Sequence, residues 1–419
     1  MHACILGAGI TGLATAWQLH REGFEVTVID RASAGAGASA ANGAQLSYAY
    51  VQPLADPSIW RQLPQLLLAS DSPLTLRPQF DPQQWAWGLR FLAACRGSVS
   101  RQTTAQLLAL AAQSRAGFEQ LLAEEQLDCD FSATGKLVLY PDTASFAAAR
   151  RQMALQRALG SAQAAVTAQE CVAIEPALAH HQALIAGAIH TPGECAADCY
   201  KVCQELLRLL RARGVRFLFN TEITRIVLRG GRAIAALTPA GPLEADAFVV
   251  ALGSASRSLG RTLGLHLRVY PLKGYSITVP INTKTGAAPH VNVTDAARKL
   301  VFARVGQRLR VAGIVELVGD NTQIPTTRIA SLTRGARELF PEGGDFSACE
   351  PWAGLRPATP TGRPIIGRLP GAPANLLFNT GHGALGFTLA FGSAQQIAAL
   401  LHASPRSTQS VAEPASYSV

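Results

Sequence analysis

The sequence holds no run of five basic residues and no zinc-finger or stacking-aromatic pattern, so its formal charge of +9 is scattered and nucleic acid is not an expected partner. It also lacks any uninterrupted apolar stretch near the ~20 residues that span a bilayer. The first apolar run, residues 3–6, meets Gly7 at once and is too short for a signal segment. These absences lead to a cytoplasmic protein, at most peripheral to a membrane. Charged residues are few, at 16% against 48% hydrophobic, which excludes the composition of a disordered chain. A length of 419 residues exceeds what one core supports and excludes a small binding module, so roughly two or three domains are expected.

Eight cysteines in such a chain are expected to be free thiols. Only Cys195, Cys199 and Cys203 cluster, and their spacing fits no zinc or iron–sulfur pattern. Cys199, Val202, Leu206, Leu207 and Leu210 recur at helical spacing, which places the thiols as small core hydrophobes and leaves no metal to expect.

The opening carries the strongest signal. An apolar strand over 3–6 runs into Gly7-Ala8-Gly9-Ile10-Thr11-Gly12, then a helix, a turn at Gly23 and a second strand closing on Asp30. Gly7 serves the tight turn, Gly9 the close approach of backbone to a pyrophosphate, and Gly12 the packing of helix on strand. A diphosphate is favoured at the helix N-terminus, and Asp30 stands where a carboxylate accepts the ribose hydroxyls. The motif predicts a dinucleotide, NAD or FAD.

Residues 33–47 are rich in small side chains, suited to backbone running close to a ligand or to a flexible linker. Helical periodicity marks 106–125 and 145–159, with a strand over 135–140, inside an insertion spanning 60–180. A strand from Ala186 leads to a helix over 198–213 that Gly214 stops. Strands are expected at 215–219 and 233–237, a fully buried one at 247–253 ending in Gly253, and alternating strands over 269–318. A strand at 375–379 then enters the turn 381–386 and a helix over 388–401, followed by an aperiodic polar tail over 403–419. The turn 381–386 repeats the GxGxxG pattern, but no second strand ending in an acid follows it. It suits instead a helix N-terminus pointing at a polar ring oxygen, which an isoalloxazine supplies and nicotinamide does not.

Taken together, Gly7 to Gly12 with Asp30-Arg31, the stretch Ser39-Ala40-Ala41-Asn42-Gly43-Ala44-Gln45-Leu46-Ser47, Tyr270-Pro271-Leu272-Lys273-Gly274-Tyr275-Ser276, Trp352-Ala353-Gly354-Leu355-Arg356-Pro357 and Asn379-Thr380-Gly381-His382-Gly383 carry a resemblance. In order from residue 1 to about 402, the chain resembles the D-amino acid dehydrogenase small-subunit family, within the wider group of FAD-dependent D-amino acid oxidases and glycine oxidases. The resemblance implies a mixed α/β chain: a discontinuous Rossmann-like FAD-binding domain from 1–85, 185–255 and 345–402, and an antiparallel-sheet substrate domain from 86–184 and 256–344. It implies FAD contacts at Ile5, Ala8, Ile10, Thr11, Arg31, Ser39, Asn42, Gly43, Gln45, Leu46, Ile223, Gly253, Gly381, His382, Gly383, Leu385 and Gly386, besides Gly7, Gly9, Gly12 and Asp30. Arg356 becomes the anchor for a substrate carboxylate, and Tyr275 or the pair Tyr48 and Tyr50 face the substrate.

The implied activity is oxidative deamination of free D-amino acids to 2-oxo acids and ammonia, by hydride transfer to flavin. Electrons pass on to a quinone or another carrier, and with the net charge this implies weak attachment to the inner face of the cytoplasmic membrane. A non-covalent flavin is expected, because residues 357–367 hold no cysteine of the kind that covalent relatives carry after Gly-Leu-Arg. The alternatives are an oxygen-using glycine or sarcosine oxidase and, from another class, a flavin-binding protein without turnover. His190, His266, His290 and His382 are expected to be structural, with His382 closest to the flavin turn.

Overall fold

A computed structural model describes residues 1–60, 74–157, 160–282 and 287–403. His2–Leu6 and Glu25–Ile29 are apolar strands with almost no exposed side chain, as parallel strands covered on both faces must be. Between them the helix Ile10–Arg21 ends where Gly23 takes a positive φ of 82°. The first sheet runs in the order Ile365–Gly367, Leu376–Thr380, Ala247–Val250, His2–Leu6, Glu25–Ile29, Arg216–Leu218. All neighbours are parallel except the antiparallel pair 365–367 with 376–380. Connections diverge to either side of His2–Leu6, so a crevice opens beyond its C-terminal end, at the switch point where such sheets bind ligands.

The second sheet has nine strands among the described residues. It runs Glu350–Ala358, Tyr270–Pro280, Arg308–Leu317, Leu300–Val305, Asn292–Asp295, Lys136–Tyr140, Gly187–Thr191, Ala164–Val166, with Leu74–Leu76 beside Arg308–Leu317. Most pairs are antiparallel. Helix Thr326–Leu339 covers one face, packing Leu332 and Leu339 into a core with Ile277, Phe302 and Val311.

All three segments expected in the nucleotide-binding part send strands into this second sheet: Leu74–Leu76 from 1–85, Gly187–Thr191 from 185–255, and Glu350–Ala358 from 345–402. Pairing partners decide sheet membership, and those lie far away in sequence. Conversely, Gly97–Glu124 begins nine residues before the expected helix and shares the core of the first sheet, with Leu107, Phe118 and Leu121 against Phe391 and Ala394 of the last helix. That last helix, Gly386–His402, is apolar on nearly every side because it packs on Ile10–Arg21 and Gly97–Glu124 at once. Together with the turn before it (383–402), it is the one helix among the described residues long and apolar enough to cross a membrane by composition, and it is mostly buried in the core.

Helix Cys199–Ala212 is capped by Asp198, whose carboxylate accepts from the N–H groups of Tyr200 and Lys201, and Gly214 follows it with φ 83°. Cys195, Cys199 and Cys203 are buried free thiols in the first core. The other expected strands and helices are present with ends shifted by one to three residues. Residues 158–159 of the expected helix 145–159, and the expected tail from 404 onward, lie outside the described residues.

Candidate active site between the two sheets

One cavity of about 1150 Å³ runs from the crevice of the first sheet to the face of the second. At its nucleotide end the backbone is packed against itself. A Cβ on Gly7 would lie 2.8 Å from the Ala251 carbonyl carbon, and one on Gly12 would lie 2.9 Å from that of Gly7. Gly7 also holds φ 114°, which side-chain-bearing residues rarely adopt. Gly9 differs: the nearest protein atom to its Cβ position is Ser39 Oγ at 3.6 Å, so the room beside it belongs to the cavity. Helix Ile10–Arg21 begins there with no side-chain cap and no acid in its first turn. Asp30 accepts from the Ala8 and Ala32 N–H groups at 2.7 and 2.9 Å, which fixes its carboxylate at the cavity wall beside Arg31 and Ile223.

Residues 39–47 form neither a helix nor a loose linker. Ser39 Oγ accepts from Ile10 N at 3.1 Å, and Asn42 Oδ1 accepts from Ala44 N. Gly43 lies against Val301, where a Cβ would come within 3.1 Å of its methyl group. Gln45 Nε2 donates to the carbonyls of Val293 and Phe302, stitching this segment to the second sheet. Gln45–Leu46 also pairs with Cys195–Ala196. Small side chains are needed here because the segment is clamped between two sheets.

At the far wall, Thr380 Oγ1 donates to the Gly253 carbonyl, tying the ends of two parallel strands together. The turn 381–386 follows, with Gly381 and Gly383 at φ 82° and 58°. His382 is buried, its Nε2 has no hydrogen-bond partner among the described residues, and burial pulls its pKa down to about 4, so the ring is neutral at pH 7. Ile10, Thr11, Gly253, Gly383, Leu385 and Gly386 line the cavity; Ile5, Gly7, Ala8, Gly12, Leu46 and Gly381 form the layer behind it.

The second sheet contributes Arg356. Its guanidinium lies directly over Gly274 of the neighbouring strand, where a Cβ would meet Nη1 at 2.6 Å. Nη1 donates to the Ile314 carbonyl at 3.3 Å, and no carboxylate pairs with the group among the described residues. Burial lowers its pKa to about 10, which leaves it charged at neutral pH. An unpaired guanidinium facing a cavity is a receptor for a carboxylate.

Tyr275 borders the cavity, but its hydroxyl donates to Glu316, which in turn is held by Arg328 of the covering helix at 2.7 Å. Its polar end is thereby spent on the sheet's interior side. Tyr50 lines the cavity with its ring, while Tyr48 packs beneath Arg115 outside it. The sequence reading passed over Lys136, whose ammonium lies 4.3 Å from the centre of the Tyr50 ring and donates to Ser47 Oγ. Its one signal was a lone cation heading an otherwise apolar strand.

The residues present fit a flavin dinucleotide: a glycine-built, uncapped helix end with an acid beside it, and a cavity large enough to continue past a second helix end to a separate carboxylate receptor. Residues 2–400 match the model of a family described as FAD dependent oxidoreductase. The chain is 48% identical over 399 residues to D-amino acid dehydrogenase 2 of Pseudomonas aeruginosa, covering 94% of this chain and 93% of that one. It is 46% identical over 411 residues to D-amino acid dehydrogenase 2 of Ralstonia nicotianae, covering 96% of each. Among solved structures, glycine oxidase from Geobacillus kaustophilus superposes with a TM-score of 0.74 at 22% identity, over 96% of this chain and 94% of that one. L-proline dehydrogenase from P. horikoshii gives 0.72 at 17% identity, over 96% and 92%. These two likenesses concern the fold.

Proposed function

The chain belongs to the FAD dependent oxidoreductase family, and from that premise we propose that it oxidises free D-amino acids to 2-oxo acids and ammonia, passing the electrons to a quinone or another acceptor. The observation that carries the substrate reading is Arg356, a cavity-facing guanidinium without a carboxylate partner among the described residues. Its planar fork holds an α-carboxylate through two parallel hydrogen bonds, and Gly274 beneath it leaves room for that geometry. Two nearly full-length relatives above 45% identity bear the name D-amino acid dehydrogenase, which supports the same substrate class.

FAD, when bound, supplies the acceptor for the hydride leaving the substrate Cα. The protein supplies position. Gly9 with the first turn of Ile10–Arg21 would hold the diphosphate, Gly7 and Gly12 shaping the turn behind it; Asp30 would hold the ribose, and the turn 381–386 with residues 43–47 would flank the ring. Arg356 fixes one end of the substrate, so the face that its Cα–H presents follows from where the side chain finds room. Water then hydrolyses the released imine. The scattered charge of +9 supports a weak attachment to an anionic membrane surface on its cytoplasmic side, where a quinone is reached.

An anaerobic scan of D- and L-amino acids that follows bleaching of the flavin band tests this reading. Bleaching by several D-amino acids and none of their L-enantiomers is the expected result. Bleaching by glycine or sarcosine alone would replace it with an oxidase of those amines.

A further inference from the structure

Lys136 heads the strand Lys136–Tyr140 with 2% of its surface exposed. Its ammonium has three donors, and Ser47 Oγ at 2.8 Å is its hydrogen-bond acceptor among the described residues. The Tyr50 ring lies beneath it and the cavity lies in front. Glu194, also buried, attracts it, with one carboxylate oxygen accepting from Ala49 N at 2.6 Å. Burying an ammonium costs several kcal/mol, which one hydrogen bond and the attraction of Glu194 offset only in part.

Its neighbours show which part of the site that is. Ser47 N donates to Thr388 Oγ1 at 3.3 Å, and Thr388 stands in the first turn of the helix Gly386–His402. That helix carries no side-chain cap and no acid in its first turn. Lys136, Ser47, Thr388 and the open helix end thus converge on one corner of the cavity, and the cation and the helix end both favour negative charge. Arg356 is elsewhere. Its strand and that of Lys136 are five strand spacings apart in the second sheet, on the order of 24 Å along the sheet, farther than one free amino acid held at Arg356 extends.

We propose that Lys136, with the first turn of the helix Gly386–His402, faces the pyrimidine edge of the flavin ring and stabilises the negative charge that gathers there when the ring accepts a hydride. The inference rests on the FAD reading. The hydride delivers two electrons and one proton, leaving one unit of negative charge spread over N1 and the C2 carbonyl. Lys136 keeps its proton throughout and acts by its field, so it is a positioning residue that tunes the cofactor's affinity for electrons.

The test compares wild-type holoprotein with Lys136→Met, Lys136→Gln and Lys136→Arg, each with its FAD content measured after denaturation. Sulfite is the probe, because its adduct at N5 places the same charge on the same edge without substrate or turnover. Lys136→Met and Lys136→Gln are expected to weaken sulfite binding at least tenfold and to lower the two-electron reduction potential by about 30 mV for each tenfold. Lys136→Arg should restore most of both. Unchanged sulfite affinity and potential in FAD-replete variants would overturn the proposal, as would loss of FAD from both neutral variants, which would make Lys136 a holding group. Unchanged sulfite affinity with turnover lost only for acidic D-amino acids would assign Lys136 to the substrate side chain. Wild-type protein that releases no FAD would refute the cofactor reading itself.

Discussion

The two ends of the cavity are built by different means. At the nucleotide end the work is done by backbone: Gly7, Gly9 and Gly12 lie within six consecutive residues, and Asp30 directly follows the next strand. Around the ring and substrate it is done by side chains drawn from residues 47, 50, 136, 356 and 388, no two of which are neighbours in sequence. A backbone site is specified locally and tolerates no added atom, whereas a side-chain site is specified by strand pairing and tolerates graded change. Substitutions at the two ends should therefore fail in different ways.

The largest effect is expected at Gly12. Gly12→Ala would press a methyl group into the backbone of Gly7, so little folded protein should be recovered in soluble, cooperatively melting form. Gly9→Ala meets no protein atom closer than Ser39 Oγ, so the chain should fold with a nearly unchanged melting curve while FAD release on denaturation falls sharply. Equal damage from both would erase the distinction between a structural glycine and a ligand-facing one.

Next comes Arg356. Its truncation to leucine removes a charge-assisted, bidentate contact, and kcat/KM for D-amino acids should fall by roughly thirtyfold to several thousandfold, or about 2 to 5 kcal/mol. Arg356→Lys should recover only part of it, since the charge stays and the fork goes. FAD content should hold in both variants. If FAD is lost as well, the two ends are not separable in the way the structure suggests.

A smaller effect is expected in stability at Lys136. Burial holds its folded pKa at about 8, below the 10.5 of an exposed lysine, so the unfolded chain binds the extra proton between those values. The cost of burying the charge is fully present below pH 8 and is relieved as pH rises toward 10.5. Lys136→Met should thus be more stable than wild type at pH 7, by roughly 1 to 3 kcal/mol in denaturant titration, and its advantage should shrink by pH 10. A variant less stable at pH 7 would mean that Glu194 and Ser47 more than repay the burial.

The smallest effect concerns the surface. Sedimentation with anionic vesicles should be detectable at low salt and lost at high salt, where charges farther apart than a Debye length no longer act. Binding that ignores salt would discount the electrostatic reading.

How much the sequence disclosed follows the same division. The strand, turn, helix and acid of residues 2–30 are legible because each signal is local: apolar run, glycine spacing, terminal carboxylate. Arg356 was legible only through the resemblance of its Gly-Leu-Arg-Pro stretch, and what makes it a receptor, Gly274 beneath it and the missing acid partner, is a fact of strand register. Tyr275 illustrates the converse. The resemblance implied that it faces the substrate, yet its hydroxyl is taken up by Glu316, a partner 41 residues away that no spacing announces. Lys136 was invisible for the same reason: its meaning comes from Ser47 and, through that residue's N–H, from Thr388, 252 positions farther along. The placement of Gly97–Glu124 on the first core was likewise hidden, since an amphipathic pattern shows that a helix has a buried face and not which sheet buries it.

The strand Leu376–Thr380 lies inside the first sheet, directly beside Ala247–Val250, and Asn379 reaches across to Thr15 in the first helix. A nascent chain leaving the ribosome therefore carries its glycine turn for more than 350 residues before the wall that completes the cofactor crevice has been made. Until then the edge of Ala247–Val250 is an unpaired apolar strand, the kind of surface that recruits chaperones or another copy of itself. Completion of the cofactor crevice therefore waits on a strand made more than 350 residues after the glycine turn, so flavin capture by this chain should follow the synthesis of Leu376–Thr380 rather than that of residues 7–30.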